Sequence, residues 1–127
     1  MTENEIATAV INAAFTVHIE LGPGLLESVY ETALEWELIQ MGFKVERQKP
    51  VPVIYRGVKL EDGFRLDLLV NDKLIVEVKS VPALADVFFK ILLTYLRLTD
   101  KRLGLLINFG EAELKNGLRR VVNRMPE

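Results

Sequence analysis

Apolar residues recur at helical spacing through the first forty positions, and this period predicts two helices. Thr2 followed by Glu5 matches a capping box at the start of the first helix. That helix should end near Leu21, because Gly22 is a typical C-terminal glycine. The second helix should cover 25–41. Its apolar stripe comprises Leu26, Val29, Ala33, Leu34, Trp36 and Leu38.

The middle of the chain changes to the alternating and short continuous apolar runs that are typical of strands. Pro50 and Pro52 indicate an edge strand or a bend. The pair Arg56 and Gly57 fits a hairpin turn, and 61–63 fits another turn. The predicted strands are 43–48, 53–55, 58–60, 64–70, 74–79 and 103–108.

The last third of the chain adds one more helix and one ambiguous segment. Apolar periodicity predicts a helix over 83–98. The tail, 111–123, fits either a short helix or a last strand at 118–122, and its period does not separate these alternatives. The order of elements predicts an α/β sandwich with helices on both faces of the sheet. Since neither a repeat nor a linker interrupts the pattern, 1–127 is expected to be one domain.

The composition favours a folded protein without disulfides or membrane spans. At 127 residues and 50% hydrophobic content, the chain is long and apolar enough to bury a core. The absence of cysteine excludes disulfides and thiolate metal sites and fits a reducing compartment. The first residues are acidic rather than signal-like, and charges break every apolar run before the roughly 20 residues that a bilayer span needs. A soluble, cytoplasmic protein without a membrane partner is therefore expected.

The charge is unevenly distributed along the chain. A net charge of −2 argues against a protein that coats nucleic acid by bulk charge. Acidic residues dominate the first forty positions, whereas Lys and Arg gather in 90–102 and 115–124. One face could therefore meet a polyanion, although mixed surface charge also serves solubility alone.

Among the charged residues in the two strands of the central hairpin, three could share one face: Asp67, Glu77 and Lys79. Side chains alternate along a strand, so Glu77 and Lys79 point to the same side. Asp67 joins them only if the register sets it opposite Glu77, or an even number of residues away. These residues are the strongest candidates for chemistry in the sequence.

The loop between the two strands decides the register. A three-residue loop at 71–73 sets Asp67 opposite Glu77, whereas a two-residue loop at 71–72 sets it opposite Val76, on the wrong face. Two carboxylates directly across a ladder lie about 5 Å apart at Cβ and repel each other. Mg²⁺ between them would remove the repulsion, because this cation takes oxygen ligands.

Such a pair beside a lysine predicts metal-assisted phosphodiester hydrolysis. A metal-held water could act as the nucleophile. Lys79 could orient that water or stabilise charge on the phosphate. The alternative is structural, because a Glu-x-Lys pair on an amphipathic strand is often only its solvent face.

The segment 24–30 reads Gly24-x-x-Glu27-x-x-Tyr30 and resembles the signature of the small bacterial and archaeal GxxExxY family. That family belongs to the PD-(D/E)XK nuclease superfamily. The similarity covers nearly the whole chain. Its other segments are 4–6, 64–70, 76–79, 93–98 and 104–109.

The resemblance implies a restriction-endonuclease-like αβββαβ core, with a mixed sheet flanked by helices and an extra N-terminal helix. It maps the catalytic and metal-binding acids onto Asp67 and Glu77 and the assisting lysine onto Lys79, and it suggests that Glu27 reaches the same metal. The implied cofactor is Mg²⁺ or Mn²⁺, and the implied partner is nucleic acid, DNA more than RNA. The candidate nucleic-acid contacts are Lys90, Tyr95, Arg97, Lys101 and Arg102.

The third helix departs from the family pattern. Relatives commonly carry a His-x-x-Gln pattern before Leu-Thr-Tyr-Leu, at the places that Phe88 and Ile91 hold here. Two hypotheses therefore stay open: a Mg²⁺-dependent nuclease, and a catalytically weak or inactive nuclease-fold protein that acts as a binding or scaffold module. Phe88 and Phe89 are either core residues or interface anchors. In the second case a homodimer is expected.

Overall fold

The computed structural model describes residues 1–124, which form three α-helices around one sheet. The helices are α1 (Glu3–Leu21), α2 (Glu27–Gln40) and α3 (Asp86–Thr99). The strands are β1 (Val45–Tyr55), β2 (Val58–Val70), β3 (Leu74–Lys79), β4 (Leu103–Asn108) and β5 (Leu118–Val122). A short 3₁₀ helix, Leu114–Gly117, precedes β5, so the tail contains both of its predicted alternatives.

The sheet is mixed and follows the order β1-β2-β3-β4-β5. Only β3 and β4 pair in parallel, and the α3 crossover joins them. The remaining neighbours are antiparallel. The run from α2 to β4 is the αβββαβ core that the resemblance implies, with α1 as the extra N-terminal helix. The predicted fold class is thereby confirmed.

Helices cover both faces of the sheet, because each face carries its own apolar cluster. On one face, α1 and α2 pack on the even-numbered residues of β3, and Tyr30 stacks on Phe109 with ring centroids 4.5 Å apart. On the other face, α3 packs through Leu92 and Leu96 on residues that include Ile75. Strand β3 is therefore buried on both faces. A charged side chain in such a strand needs a hydrogen-bond or ionic partner, because burying an unpaired charge is costly.

The first helix begins where the sequence predicts. Thr2 and Glu5 form the capping box: the Glu5 carboxylate accepts from the Thr2 N–H at 2.8 Å, and the Thr2 hydroxyl accepts from the Glu5 N–H at 3.2 Å. Gly22 ends the helix with φ 69°, a conformation that favours glycine. In residues 1–124, no helix has both the length and the apolarity needed to cross a bilayer.

The β1–β2 hairpin is longer and more continuous than predicted. Of the two alternatives predicted for Pro50 and Pro52, the edge strand is correct, because β1 is an edge strand in which Pro50 pairs with Arg65 and a missing N–H is tolerated. The ladder shifts register between Val51 and Val53, on either side of Pro52. The predicted turn at 61–63 is wrong. A Cβ on Gly63 would lie 2.6 Å from the Val51 carbonyl, so this glycine permits a close backbone approach within the hairpin.

The second helix buries only part of the predicted stripe, namely Leu34 and Leu38. Its buried residues are Tyr30, Glu31, Leu34 and Leu38. Leu26 and Trp36 are instead exposed, by 75% and 59%. The sequence contains two apolar rows on this helix, and only one of them faces the sheet.

Candidate active site

The loop between β2 and β3 has the three-residue length that places the two acids opposite each other. Val70 pairs with Leu74, and the ladder continues to Leu68 with Val76. Asn71 and Asp72 turn the chain with φ of 52° and 58°, which Asn and Asp tolerate better than most residues. The ladder ends there, and one position further along the same register Asp67 faces Glu77, to which its N–H donates.

At Asp67 the ladder opens, and carboxylates take the place of backbone partners. The Asp67 N–H donates to Glu77 Oε2 at 2.8 Å, and the Val78 N–H donates to Asp67 Oδ2 at 2.8 Å. Each acid therefore commits one oxygen to the opposite strand and keeps a second oxygen. This exchange holds both carboxyl groups in place, since each of them satisfies a backbone N–H of the opposite strand.

The alternation of side chains along strand β2 is interrupted at Asp67. Leu66 and Leu69 both pack on the α3 side, although residues three apart in a regular strand face opposite sides. The β1–β2 ladder pairs Arg47 with Leu68 and Lys49 with Leu66, but skips the position between them. The distortion therefore coincides with the acid that the site needs.

Gln48 occupies the skipped position on β1, and its φ of 51° is unusual for a residue other than glycine. Its amide Nε2 donates to Glu31 Oε1 at 2.8 Å and lies 3.4 Å from Asp67 Oδ1. Gln48 thus separates the carboxylate of α2 from that of β2. Backbone strain of this kind persists where the surrounding contacts hold it, often at functional sites.

Glu31 is buried, with 5% of its surface exposed, and Arg47 of β1 forms an ion pair with it. Arg47 donates from Nε to Glu31 Oε1 at 3.2 Å and from Nη2 to the Ser28 carbonyl at 3.2 Å. The ion pair and the Gln48 amide together satisfy the polar requirement of a buried carboxylate. This places a third acid close to the central pair.

Both central acids resist ionisation. Burial raises the pKa of Asp67, and the charge of Glu31 adds to that effect, against the Val78 N–H that lowers it. Burial, followed by the charge of Asp67, raises the pKa of Glu77 to about 8. The protein thus holds two carboxylates in a place where both charges together are unfavourable without a cation.

Lys79 lies two residues beyond Glu77, and its side chain packs on Phe88 of α3. Its ammonium lies 4.7 Å from the centroid of the Phe88 ring. A cation over an aromatic face is attracted by the ring quadrupole. Phe88, which stands where the resemblance led us to expect His, therefore lies against the predicted catalytic lysine.

Tyr95 also faces the acids. Burial raises the pKa of Tyr95, and the charges of Glu77 and Asp67 raise it further. Its ring stacks on Phe64 with centroids 4.4 Å apart. Both rings line an open groove of ≈ 370 Å³ between the β1–β2 hairpin and α3, together with Lys90.

The other predicted site residues are more scattered. Glu27 lies in the first turn of α2, one turn before Glu31, and within residues 1–124 it makes no hydrogen bond to the central acids or to Lys79. Arg97 is exposed near the end of α3. Lys101 and Arg102 precede β4, whose first residue pairs with the far end of β3. About 16 Å of strand therefore separates these two residues from Lys79.

Glu31 and Gln48 are the residues that the sequence reasoning missed. Glu31 stands four positions after Glu27, on the same face of α2, so helical spacing could have found it. No local signal distinguishes Gln48, because glutamine has no special preference for positive φ. Its role follows from contacts with two distant segments.

The donor set suits a hard divalent cation with few protein ligands. Across the described residues, no group of three acidic or histidine side chains is close enough to form a ready ligand set. Asp67 and Glu77 offer carboxylate oxygens, which Mg²⁺ prefers, and Mg²⁺ is commonly bound by one or two carboxylates with water and phosphate completing its shell. The residues present therefore fit a metal of this class.

A family model described as the PD-(D/E)XK nuclease superfamily matches residues 4–121. No curated protein and no solved structure matches the chain. The matched range contains α1 from its second residue, the other two α-helices and the whole central hairpin with Asp67, Glu77 and Lys79. The chain therefore belongs to the PD-(D/E)XK nuclease superfamily.

Proposed function

We propose that the chain is a metal-dependent nuclease that hydrolyses phosphodiester bonds in nucleic acid, with DNA as the expected substrate. One observation carries the proposal: Asp67 and Glu77 lie opposite each other with raised pKa values, and Lys79 follows on the same strand as Glu77. Membership of the superfamily supports hydrolytic chemistry. The 24–30 motif supports the narrower assignment to the GxxExxY family.

Asp67 and Glu77 would hold the metal through the oxygens that do not accept a backbone N–H. The expected metal is Mg²⁺ or Mn²⁺, which would polarise a phosphoryl oxygen and make a bound water more acidic. Glu31, whose charge reaches both acids, takes the accessory role on α2 that the motif suggested for Glu27. Gln48 holds Asp67 in place from β1.

Lys79 would act on the phosphate or on the attacking water. Its ammonium has three N–H donors and can hold charge that develops on a phosphoryl oxygen. The Phe88 ring fixes its direction at one side, since the ammonium lies 4.7 Å from the ring centroid. This contact leaves the other side of the ammonium available to substrate.

The groove between the hairpin and α3 is the proposed path of the nucleic acid. Tyr95 stands where the groove meets the acids, and Lys90 lines the same groove. Arg97 lies seven residues after Lys90, about 10 Å further along α3. Contacts at Lys101 and Arg102 would need a substrate that extends past the end of α3. Phosphate contacts of this kind position a substrate without reading its sequence.

Cleavage and metal binding test the proposal separately. Plasmid DNA and single- and double-stranded DNA and RNA oligonucleotides are incubated with Mg²⁺, with Mn²⁺ or with EDTA. Cleavage should require the metal and should fall at least a hundredfold in Asp67→Asn and Lys79→Ala, whereas the exposed Lys115→Ala keeps wild-type activity. Calorimetry with Mn²⁺ should show binding that Glu77→Ala abolishes. Cleavage in EDTA, or full activity of Lys79→Ala, would overturn the mechanism.

A non-catalytic binding or scaffold role is the second candidate function. Its support is the α3 substitution: Phe88 occupies the position beside Lys79, and Ile91 is 39% exposed in the groove. The double variant Phe88→His, Ile91→Gln separates the two functions. A wild type that binds DNA without cutting it, together with a double variant that cuts, supports the scaffold role.

A further inference from the structure

The helical layer made by α1 and α2 is acidic throughout. Residues 1–43 contain no Lys or Arg, and their charged residues other than His18 are Glu3, Glu5, Glu20, Glu27, Glu31, Glu35 and Glu37. Of these glutamates the proposed active site uses only Glu31, and Arg47 of β1 forms ion pairs with Glu31 and Glu35. A phosphate backbone is repelled by this layer, so nucleic acid approaches the protein from another side.

An apolar row crosses this acidic layer on the solvent side of α2. The row, here called the α2 strip, consists of Leu26, Val29, Ala33 and Trp36. Its spacing of three, four and three residues matches positions a and d of a heptad. Leu26, Val29 and Trp36 are exposed by 75%, 39% and 59%.

Three surface depressions join along the α2 strip. Val29 borders both a cleft of ≈ 850 Å³ beside the 23–26 loop and a depression of ≈ 520 Å³ that Trp36 lines. Ala33 borders this second depression and also a groove of ≈ 270 Å³ between α1 and α2, which Glu20 and Glu37 line. The apolar surface is therefore continuous over the length of α2, about 21 Å for 14 residues.

The shape and charge of this surface select the partner. An apolar a/d row receives the apolar face of another helix. The acidic layer around it favours a helix whose remaining face carries Lys and Arg. Two copies of this chain that met through the strip would bring their glutamates together, which charge repulsion disfavours.

We propose that the α2 strip is the docking site of a basic amphipathic helix from another protein. The docked helix would lie on the layer opposite α3 and its groove, so it would not compete with nucleic acid. Its end near Leu26 would lie close to the 80–82 segment, because Ser80 Oγ donates to the Leu25 carbonyl at 2.6 Å. The inference is independent of the proposed nuclease activity.

Trp36 reports on the strip, because it is the single tryptophan of the chain. The probe is an 18-residue synthetic peptide with Leu at heptad positions a and d and Lys elsewhere. A second peptide has the same composition with its Leu positions scrambled, and a third has Glu in place of Lys. Only the first peptide should shift Trp36 emission to shorter wavelength in a saturable titration.

Variants distinguish docking on the strip from simple charge attraction. Ala33→Glu adds a negative charge to the strip, so attraction by charge alone predicts tighter binding of the Lys peptide. Docking on the strip predicts the reverse, with binding weakened at least tenfold. Val29→Glu should behave in the same way, whereas Val58→Glu, on the β1–β2 hairpin and exposed by 58% in the wild type, should leave binding close to wild type.

Three results would overturn the proposal. The scrambled peptide could bind as tightly as the amphipathic one, which would show charge attraction only. Ala33→Glu could leave binding unchanged or strengthen it. Sedimentation of the free protein could show a dimer that Ala33→Glu dissociates, which would make a second copy the occupant of the strip.

Discussion

Replacing Glu77 with glutamine tests the charge conflict on which the proposed metal site depends. Glutamine keeps the shape of the side chain and a carbonyl oxygen for the Asp67 N–H, but it cannot ionise. Burial and the charge of Asp67 raise the pKa of Glu77 from 4.5 to about 8. At 1.36 kcal/mol for each pH unit, ionising Glu77 in the folded protein costs on the order of 3–5 kcal/mol.

The direction of the pH effect follows from proton binding. Between about pH 4.5 and pH 8 the folded protein holds a proton at Glu77 that the unfolded chain releases. The free energy of unfolding of the metal-free wild type therefore falls as pH rises through this range. The free energy of unfolding of Glu77→Gln does not fall for this reason, because glutamine has no proton to release. The variant should match the wild type near pH 4 and exceed its stability at pH 9 by roughly 3–5 kcal/mol.

Urea denaturation in EDTA, followed by circular dichroism at intervals from pH 4 to pH 9, measures this difference. The exposed Glu113→Gln is the matched control and should follow the wild type. Mn²⁺ should restore the stability of the wild type at pH 8 by about 2.7 kcal/mol at a concentration of 100 Kd, and it should leave Glu77→Gln nearly unchanged. Parallel stability profiles of wild type and Glu77→Gln over the whole range would show that Glu77 carries no unfavourable charge in the folded protein.

Three further substitutions test the supports of the site and the core. Gln48→Ala removes the amide that holds Asp67 and should weaken Mn²⁺ binding about tenfold by calorimetry, whereas unchanged affinity would deny Gln48 a positioning role. Tyr30→Phe removes a hydroxyl that donates to the Gly22 carbonyl and accepts from the Leu25 N–H. This loss should lower the free energy of unfolding, measured in urea, by about 1–3 kcal/mol. Gly104→Ala would set a methyl group 2.8 Å from Leu92 Cδ1 and should destabilise the protein by about 1–3 kcal/mol. A thermal melt that matches wild type would contradict that contact.

The sequence reduced the register of the central hairpin to two alternatives, because the register depends on the length of one short loop. A loop of three residues is enough to decide which side Asp67 occupies, and Asn and Asp at positive φ are local signals. The capping box of α1 is local in the same way. The capping box needed only neighbouring residues, whereas the choice between the two hairpin registers came from the folded structure.

The second helix shows where local reasoning stops. Its sequence carries two apolar rows, one with Tyr30 and Leu34 and one with Val29 and Trp36. Periodicity alone does not tell which row faces the core. The sheet and α1 decide this by packing on the first row, and the second row is left in the solvent.

The amino-acid order alone was sufficient for the α/β class and the number of main helices, since periodicity and turn chemistry act over a few residues. It left two registers open for Asp67, and the folded hairpin selected the one that faces Glu77. The approach of Glu31 and Gln48 to Asp67 needed the folded chain, because these side chains come from three separate elements. The pKa of Glu77 likewise arises only when burial removes water from two facing carboxylates. Desolvation and contacts between distant segments are properties of the packed molecule, and no local pattern encodes them.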